Sequence, residues 1–311
     1  MASDLSSDSS NRSVAPTRGG WSKSPRNPIL GGDLGACSDA AVLREGEKFR
    51  LWFSWRRQRA IGLAESEDGV DWGDPQVVLA PQLRWEELVN RISVLKRPEG
   101  YRMWYTGQVV SGLARSVIGY ATSPDGVTWK RHSDRPVLSP QEPWEKSSVM
   151  CPHVLCDDTG RFLRMWYSGG EQRAPDAIGY ATSPGGIFWT KLPTNPVFLP
   201  DPRSSWEQQK VAACQVIRHG QWYLMFYVGI QDAEHAHIGL ARSRNGISGW
   251  LRHPANPILS PSGSEWDGDA VCQPFALFDE KQKLWRLWYT GRRGDQEQIG
   301  LALHEGEDLG F

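Results

Sequence analysis

The sequence predicts an all-β protein: a five-bladed β-propeller of four-stranded antiparallel blades, with its ring closed by an N-terminal strand. Three observations support this prediction. One motif recurs five times, each repeat contains short β-rich runs separated by turns, and the segment that completes a repeat is absent after the last motif but present near the start of the chain. A period of this length, kept along the whole chain, indicates a repeated supersecondary unit.

The recurring motif is Ile-Gly-Tyr-Ala or Ile-Gly-Leu-Ala. Its five copies start 57, 60, 60 and 61 residues apart, at residues 61–64, 118–121, 178–181, 238–241 and 299–302. An aromatic run precedes each copy, at residues 49–55, 101–106, 162–168, 222–228 and 285–290. A short apolar stretch precedes each run, at residues 40–43, 92–95, 153–155, 215–217 and 275–278. Such runs, divided by polar turns, predict antiparallel hairpins.

The segment after the motif predicts a turn and then a fourth strand. The turn ends in Trp in three copies, at residues 67–72, 124–129 and 184–189. The fourth strand is expected in the Pro-containing segments 135–138, 195–198 and 256–259, since Pro is tolerated on an edge strand. No such segment follows the fifth motif, but residues 27–30 have the same pattern. We therefore expect the last blade to take its outer strand from the chain start, which closes the ring.

Length and composition limit the class of protein. The 311 residues accommodate five blades of about 58 residues, so we expect one domain over residues 21–311, after a Ser-rich disordered tail at residues 1–20. The net charge of −1 argues against nucleic acid or an anionic membrane as partner. Five cysteines without framework spacing fit a reducing compartment, and we expect the cytoplasm.

Four of the cysteines lie near the start of the first strand in four repeats: Cys37, Cys151, Cys214 and Cys272. They should gather around the central channel. Because their offsets within the strand differ, we expect small buried residues there rather than metal ligands. Neither a metal nor a cofactor is expected.

The candidate site lies where the first strands begin. Aligning the repeats gives one equivalent position occupied by Asp39, Arg91, Cys151, Ala213 and Gln273. Two residues on, facing the same way, are Ala41, Ser93, His153, Gln215 and Phe275. The loops between second and third strands share this mouth and carry Glu171, His235, His237 and Arg292 among other charged groups. Their convergence predicts a cavity that binds a small-molecule ligand.

Asp39 is the strongest single candidate, because a carboxylate at an axis-lining strand is costly without a partner. It serves either as a base or substrate anchor, or as one half of an Asp39–Arg91 ion pair that closes the ring. A Trp-acid pair recurs in four interblade loops, at residues 85–86, 144–145, 206–207 and 266–267, and four copies favour a structural role such as capping a turn. Asp269 differs, since no other repeat has a carboxylate at its place.

These repeats resemble the five-bladed glycosidase superfamily of arabinanases and β-xylosidases, invertases and levansucrases, and mannoside phosphorylases. The resemblance rests on the Pro-containing fourth-strand segment, the aromatic hairpin strand, the Ile-Gly motif with its turn to Trp, and the number of repeats, over residues 26–311. It implies a catalytic Asp on the first blade, a second Asp on the second blade and a Glu acid on the third.

Asp39 matches the first of these positions, which implies a base or nucleophile. The second falls on Arg91, beside Asn90, and the third on Met150. Because glycoside cleavage ordinarily uses two carboxyl groups, another proton donor is needed, from His153, Glu171, His235, His237 or Asp269. Arg91 suits an anionic substrate, since guanidinium pairs with carboxylate or phosphate through two hydrogen bonds.

The leading hypothesis is a carbohydrate-active enzyme that cleaves or transfers a glycosidic bond, with a furanosyl or anionic sugar among the candidate substrates. Its predicted catalytic residues are Asp39, His153 and Glu171. Its predicted substrate-binding residues are Asn90, Arg91, Gln215, His235, Asp269, Gln273 and Arg292. Two alternatives stay open: a non-catalytic sugar-binding propeller, and a lyase or cyclase of small-molecule biosynthesis that uses the same cavity.

Overall fold

The computed structural model describes residues 17–263 and 266–311. Within them it has twenty β-strands and three short 3₁₀ turns, at Gly32–Leu34, Arg56–Gln58 and Pro143–Glu145. The all-β prediction is therefore confirmed, whereas the five-bladed arrangement stays a prediction. The described helical segments are too short to cross a membrane.

The first strand of the chain, β1 (Trp21–Lys23), lies away from the strands that follow it. The next four strands form a separate antiparallel sheet in chain order, which we call group 1: β2 (Cys37–Glu45), β3 (Lys48–Trp55), β4 (Ala60–Ser66) and β5 (Gln76–Leu79).

A second sheet of eight strands divides into two antiparallel groups. Group 2 comprises β6 (Leu88–Arg97), β7 (Gly100–Val109), β8 (Arg115–Ser123) and β9 (Lys130–Arg131). Group 3 comprises β10 (Ser148–Cys156), β11 (Leu163–Gly170), β12 (Pro175–Ser183) and β13 (Thr190–Lys191). A single parallel pair, Ser116 with Ser148, joins the two groups.

The third sheet also has eight strands in two groups. Group 4 comprises β14 (Lys210–His219), β15 (Trp222–Ile230), β16 (Ala236–Ser243) and β17 (Leu251–Arg252). Group 5 comprises β18 (Ala270–Asp279), β19 (Leu284–Arg293), β20 (Gln296–Glu305) and, on its outer side, β1. The groups are joined by one parallel pair, Ala236 with Ala270.

The N-terminal segment completes group 5, although with different residues from those predicted. Trp21 pairs with His304 and Lys23 with Ala302, so β1 takes the outer position beside β20. The predicted fourth-strand segments contribute only isolated bridges: Leu30 with Ile299, Leu138 with Ile118, Phe198 with Ile178 and Leu259 with Ile238. Pro has no N–H to donate, which limits the pairing of these segments.

Part of the predicted disordered tail is ordered. Residues 1–16 lie outside the described residues. Thr17 forms a bridge with Leu259, and the Arg18 N–H donates to the Ile258 carbonyl at 3.0 Å. Among the described residues, Thr17 and Arg18 therefore make backbone contacts within the segment that was predicted to be disordered.

A Trp on the second strand of four groups donates a hydrogen bond to a neighbouring group. The indole N–H of Trp52 donates to the Gly126 carbonyl at 2.9 Å. Equivalent bonds are Trp104 to Gly186, Trp166 to Gly246 and Trp288 to Gly69. The last of these joins group 5 to group 1. Gly126 has φ +77°, and an added Cβ would lie 3.0 Å from the Trp52 ring, so this turn requires Gly.

The recurring Trp-acid pairs have the structural role that their repetition predicted. Each of the four acids is almost fully buried and pairs with a cation on the outer strand of its own group: Glu86 with Arg131, Glu145 with Lys191, Glu207 with Arg252 and Asp267 with Lys23. Three also accept a hydrogen bond from a second-strand Tyr: Glu86 from Tyr105, Glu145 from Tyr167 and Asp267 from Tyr289. Glu86 and Glu145 also cap turns, as expected.

Candidate functional site

The first strand of each group (β2, β6, β10, β14 and β18) has a β-bulge near its start, and residues at the five bulges line one cavity. The bulged residues all have positive φ: Asp39 (59°), Arg91 (48°), Cys151 (52°), Ala213 (44°) and Gln273 (46°). The register of each hairpin shifts at this point. Left-handed backbone in residues other than Gly is strained, and such strain often accompanies functional sites.

Four of the bulged residues donate their backbone N–H to a Ser or Thr hydroxyl of the preceding group. The Asp39 N–H donates to Thr290 Oγ1 at 3.0 Å, which joins group 5 to group 1. The equivalent bonds are Arg91 to Ser54, Cys151 to Thr106 and Ala213 to Ser168. The order around the cavity is therefore Gln273, Asp39, Arg91, Cys151 and Ala213. All five residues of the predicted equivalent position meet at one place.

The cavity is small and open at its mouth. Each bulged residue lines it together with the residue that follows, and His153, Gln215 and Phe275 also line it. Its volume is about 40 Å³, and one ordered water needs roughly 10–15 Å³ by this measure. It has room for about three waters.

Asp39 places a buried carboxylate on the cavity wall. The residue is 4% exposed, and its Oδ1 has no hydrogen-bond donor. Oδ2 accepts a bond from Ser38 Oγ at 3.3 Å and lies 3.7 Å from Arg56 Nη2. Arg91 Nε is 4.0 Å from Oδ1, beyond hydrogen-bond reach. A buried acceptor without a donor is costly, which points to a ligand that donates.

Arg91 is held from behind by buried amides. Its Nη1 donates to Gln108 Oε1 at 3.1 Å and to Asn90 Oδ1 at 3.3 Å. Asn90 Nδ2 also donates to Gln108 Oε1, and Gln108 Nε2 donates to Ser116 Oγ. Asn90 is 1% exposed, so its contacts orient Arg91 and its predicted contact with substrate is indirect in this geometry.

Arg56, one of the charged loop groups expected at the mouth, is a neighbour of Asp39, although it was not among the predicted catalytic or substrate-binding residues. Its Nε donates to Glu297 Oε2 at 3.0 Å. Although burial opposes its charge, the carboxylates of Asp39 and Glu297 raise the pKa of Arg56. In the structure Trp55 pairs with Cys37, so the next residue, Arg56, lies beside the strand that carries Asp39. Arg56 and Glu297 thus extend the charged network to group 5.

His153 and Gln215 lie in the cavity, but their hydrogen bonds join neighbouring groups. His153 Nε2 donates to the Val216 carbonyl at 2.7 Å, and burial lowers the pKa of His153 to about 4. The Gln215 amide bonds both the N–H and the carbonyl of Ala276. At neutral pH His153 is therefore uncharged with its one N–H committed, which is unfavourable for the predicted role of proton donor.

Buried, neutral His153 should make the fold sensitive to acid. Because its pKa is about 4 when folded and about 6.5 when unfolded, the unfolded chain binds a proton first. Stability from this group is complete above pH 6.5 and falls as the pH drops toward 4. We expect His153→Gln, which keeps a donor for Val216, to remove about 2–3 kcal/mol of the loss between pH 7 and 4.5.

Denaturant unfolding of both proteins at several pH values measures this difference. His237 is a second source of acid sensitivity, because burial lowers its pKa to about 4 as well, so wild type and His153→Gln must be compared at each pH. Identical pH dependence of the two proteins would contradict the burial of a neutral His153.

Gln273, another residue of the cavity wall, carries a second unsatisfied acceptor. Its Oε1 is buried and has no hydrogen-bond donor. Cys151 and Cys214 also line the wall, and burial raises the pKa of the Cys151 thiol to about 11. Neither cysteine forms a disulfide, and both thiols are protonated at neutral pH. Among the described residues, no group of three or more His, Cys, Asp or Glu side chains is placed to hold a metal ion.

The remaining predicted site residues are tied to other loop residues rather than to the cavity wall. Glu171 pairs with Lys146 at 3.2 Å and is 56% exposed, and His235 Nδ1 lies 2.9 Å from Asp232 Oδ1. Asp269 Oδ2 accepts the Gly294 N–H at 2.6 Å. Arg292 donates to the Glu234 carbonyl, and His237 lies against Ser260 Oγ and Gln231 Oε1. None of these side chains is among the described residues that line the cavity.

Comparison with known sequences finds distant relatives. No protein-family model matches the chain. Two proteins of Mycobacterium tuberculosis, named "Uncharacterized protein MT1551" and "Uncharacterized protein Rv1502", are each 27% identical to it over 281 residues. The match covers 84% of this chain and 89% of each relative. Neither name states an activity.

Solved structures with the same fold are described as glycoside hydrolases. One described as "Glycoside hydrolase" has a TM-score of 0.73 at 18% identity and covers 92% of this chain and 94% of its own. A thermostable family-43 glycoside hydrolase has a TM-score of 0.71 at 18% identity, with coverage of 88% and 91%. An exo-1,5-alpha-L-arabinanase from a bovine ruminal metagenomic library has a TM-score of 0.64 at 16% identity, with coverage of 86% and 92%. The resemblance to glycosidases is confirmed at the level of the fold.

Proposed function

We propose that this chain is a carbohydrate-active enzyme of the five-bladed propeller glycosidase type, with residues 21–311 as its one domain. In this proposal the five groups are the blades. The cyclic order of their contacts, from group 5 through group 1 to group 4, supports it. So does the fold shared with glycoside hydrolases.

The main observation in support of a carbohydrate ligand is that Oδ1 of buried Asp39 has no hydrogen-bond donor. Sugar hydroxyls donate hydrogen bonds without bringing positive charge, which suits an acceptor flanked by Arg56 and Arg91. Gln273, which also lines the cavity, has a second buried acceptor without a donor. Asp39 then either attacks the anomeric carbon as a nucleophile or, as a base, takes a proton from the water that attacks it, and Arg91 anchors the sugar.

Hydrolysis ordinarily needs a second carboxyl group as proton donor, and the described cavity wall does not provide one. Asp39 is the one carboxylate on the described cavity wall, His153 is neutral with its N–H committed, and Glu171 pairs with Lys146 on the exposed rim. An enzyme that has a nucleophile but a weak proton donor depends on substrates whose leaving group needs no protonation. General acid catalysis is otherwise worth about 10²–10⁴-fold in rate.

The test follows from this dependence. The full chain is incubated with 4-nitrophenyl and methyl glycosides of furanoses, pyranoses and uronic acids, and products are identified by mass. We expect turnover of one 4-nitrophenyl glycoside, with the matching methyl glycoside slower by at least about 10²-fold. Comparable rates on both would overturn the weak-donor mechanism.

The single carboxylate on the described wall also favours a second candidate, a non-catalytic sugar-binding protein. Saturation-transfer NMR with the methyl glycosides separates the two. Binding without turnover of any 4-nitrophenyl glycoside would support the second candidate. Neither binding nor turnover would contradict both.

A further inference from the structure

The cavity wall is polar on one side and apolar on the other. Because hydrogen bonds fix the order of the groups, Gln273, Asp39 and Arg91 are consecutive, and Cys151 and Ala213 complete the circuit. The first three side chains carry an amide, a carboxylate and a guanidinium. The other two offer a weakly polar thiol and a methyl group. The ligand therefore meets two chemically different edges.

The polar side has hydrogen-bonding capacity to spare. Asp39 Oδ1 and Gln273 Oε1 are buried acceptors without donors. These two atoms come from neighbouring groups, since the Asp39 N–H is bonded to Thr290 of group 5. A ligand that donates two hydrogen bonds on this side would satisfy both acceptors.

The opposite side has little such capacity. Ala213 and Cys151 are each buried, at 7% and 9% exposure, and Pro152 and Cys214 follow them on the wall. The other polar groups of this side bond within the protein: His153 Nε2 donates to the Val216 carbonyl, and the Gln215 amide bonds to Ala276. His153 keeps one acceptor, Nδ1. A ligand hydroxyl against Ala213 would lose its water without gaining a partner.

We infer that the chain selects a sugar with a methyl group on the edge opposite its bound hydroxyls, a 6-deoxyhexose, over the hexose with a hydroxyl at that carbon. This inference rests on the proposed carbohydrate ligand and adds its orientation and class. The small cavity admits a methyl group beside Ala213 and Cys151. A pentose, which lacks that carbon, leaves the apolar side unfilled.

Binding of methyl glycosides to the full chain, measured by calorimetry, tests the inference. Each trio shares ring configuration: L-fucose, L-galactose and D-arabinose pyranosides form one, and L-rhamnose, L-mannose and L-lyxose pyranosides another. We expect the 6-deoxyhexose of one trio to bind at least about tenfold more tightly than its hexose and its pentose, the scale on which a hydrophobic pocket distinguishes one carbon.

Two variants test which side of the cavity wall causes the preference for the 6-deoxyhexose. Ala213→Ser places a hydroxyl on the apolar side and should reduce the preference for the 6-deoxyhexose at least about threefold, a fraction of the discrimination available to such a pocket. Gln273→Leu removes an acceptor from the polar side and should weaken all members of the trio by a similar factor. Thermal unfolding shows whether each variant is folded.

The outcomes separate the inference from the proposed function. Equal or tighter binding of the hexose or the pentose, or a preference unchanged in Ala213→Ser, would overturn the inference and leave the sugar ligand in place. Absence of binding by all six glycosides, together with no turnover of 4-nitrophenyl glycosides, would count against both.

Discussion

Replacing Asp39 by Asn should lower kcat/KM for the best 4-nitrophenyl glycoside by at least about 10²–10⁴-fold, the range associated with a base or acid in the transition state. Asn keeps the size of the side chain but removes the charge and the basicity. The carboxylate is the one described on the cavity wall, so no neighbouring group replaces it.

Stability should change little in the same variant. Arg56 keeps its bond to Glu297 at 3.0 Å, and Arg91 keeps its bond to Gln108 at 3.1 Å. Neither guanidinium is left buried without a partner, and the unpaired Oδ1 of Asp39 is itself a cost in the wild-type protein. Thermal unfolding beside the kinetic assay measures both effects.

This pair of measurements distinguishes the two roles considered for Asp39. A large loss of stability with activity retained would favour the ion pair that closes the ring. The distances argue against that role, since Arg91 Nε is 4.0 Å from Oδ1 and Arg56 Nη2 is 3.7 Å from Oδ2. Both exceed the length of a charge-assisted hydrogen bond.

Replacing Lys23 by Met should destabilise the fold by about 3–5 kcal/mol, the cost of leaving a buried charge without its partner. Lys23 Nζ lies 2.6 Å from Asp267 Oδ2, and Asp267 is fully buried. The same ammonium donates to the Ser260 carbonyl at 2.7 Å and to Ser262 Oγ at 2.8 Å. Denaturant unfolding measures the free energy of unfolding directly.

Two further variants serve as controls. Lys23→Arg should cost less, because Arg131 and Arg252 pair with the equivalent acids of groups 2 and 4. Lys281→Met removes an exposed ion pair with Glu47 and should change stability by about 0–1 kcal/mol. If Lys23→Met resembled Lys281→Met, the N-terminal strand would not be what completes the last group.

Much of the site's framework was predictable because it repeats. The period of about 60 residues aligned Asp39, Arg91, Cys151, Ala213 and Gln273, and all five line the cavity. Of the residues that strand alternation placed on the same face, His153, Gln215 and Phe275 line the cavity. Ala41 and Ser93 are not among the lining residues, because the bulge in each strand breaks the alternation. The four Trp-acid pairs were recognised as structural because a ligand site need not occur four times.

The outer strands were less predictable. Residues 27–30 match the Pro-containing segments in sequence, yet β1 at Trp21–Lys23 supplies the longer pairing. Pairing along an edge strand depends on which N–H and C=O groups the neighbouring strand leaves free, and a local pattern does not contain that information.

The sequence by itself determined the repeated β unit, the completion of the last group by the N-terminal segment, and the five residues around the cavity, because each follows from periodicity. The tertiary structure decided which polar atoms stay uncommitted. The N–H of His153 is committed to a hydrogen bond with the Val216 carbonyl, and Arg56 lies next to Asp39. Those outcomes depend on side-chain torsions and contacts across separate groups, which no local pattern encodes.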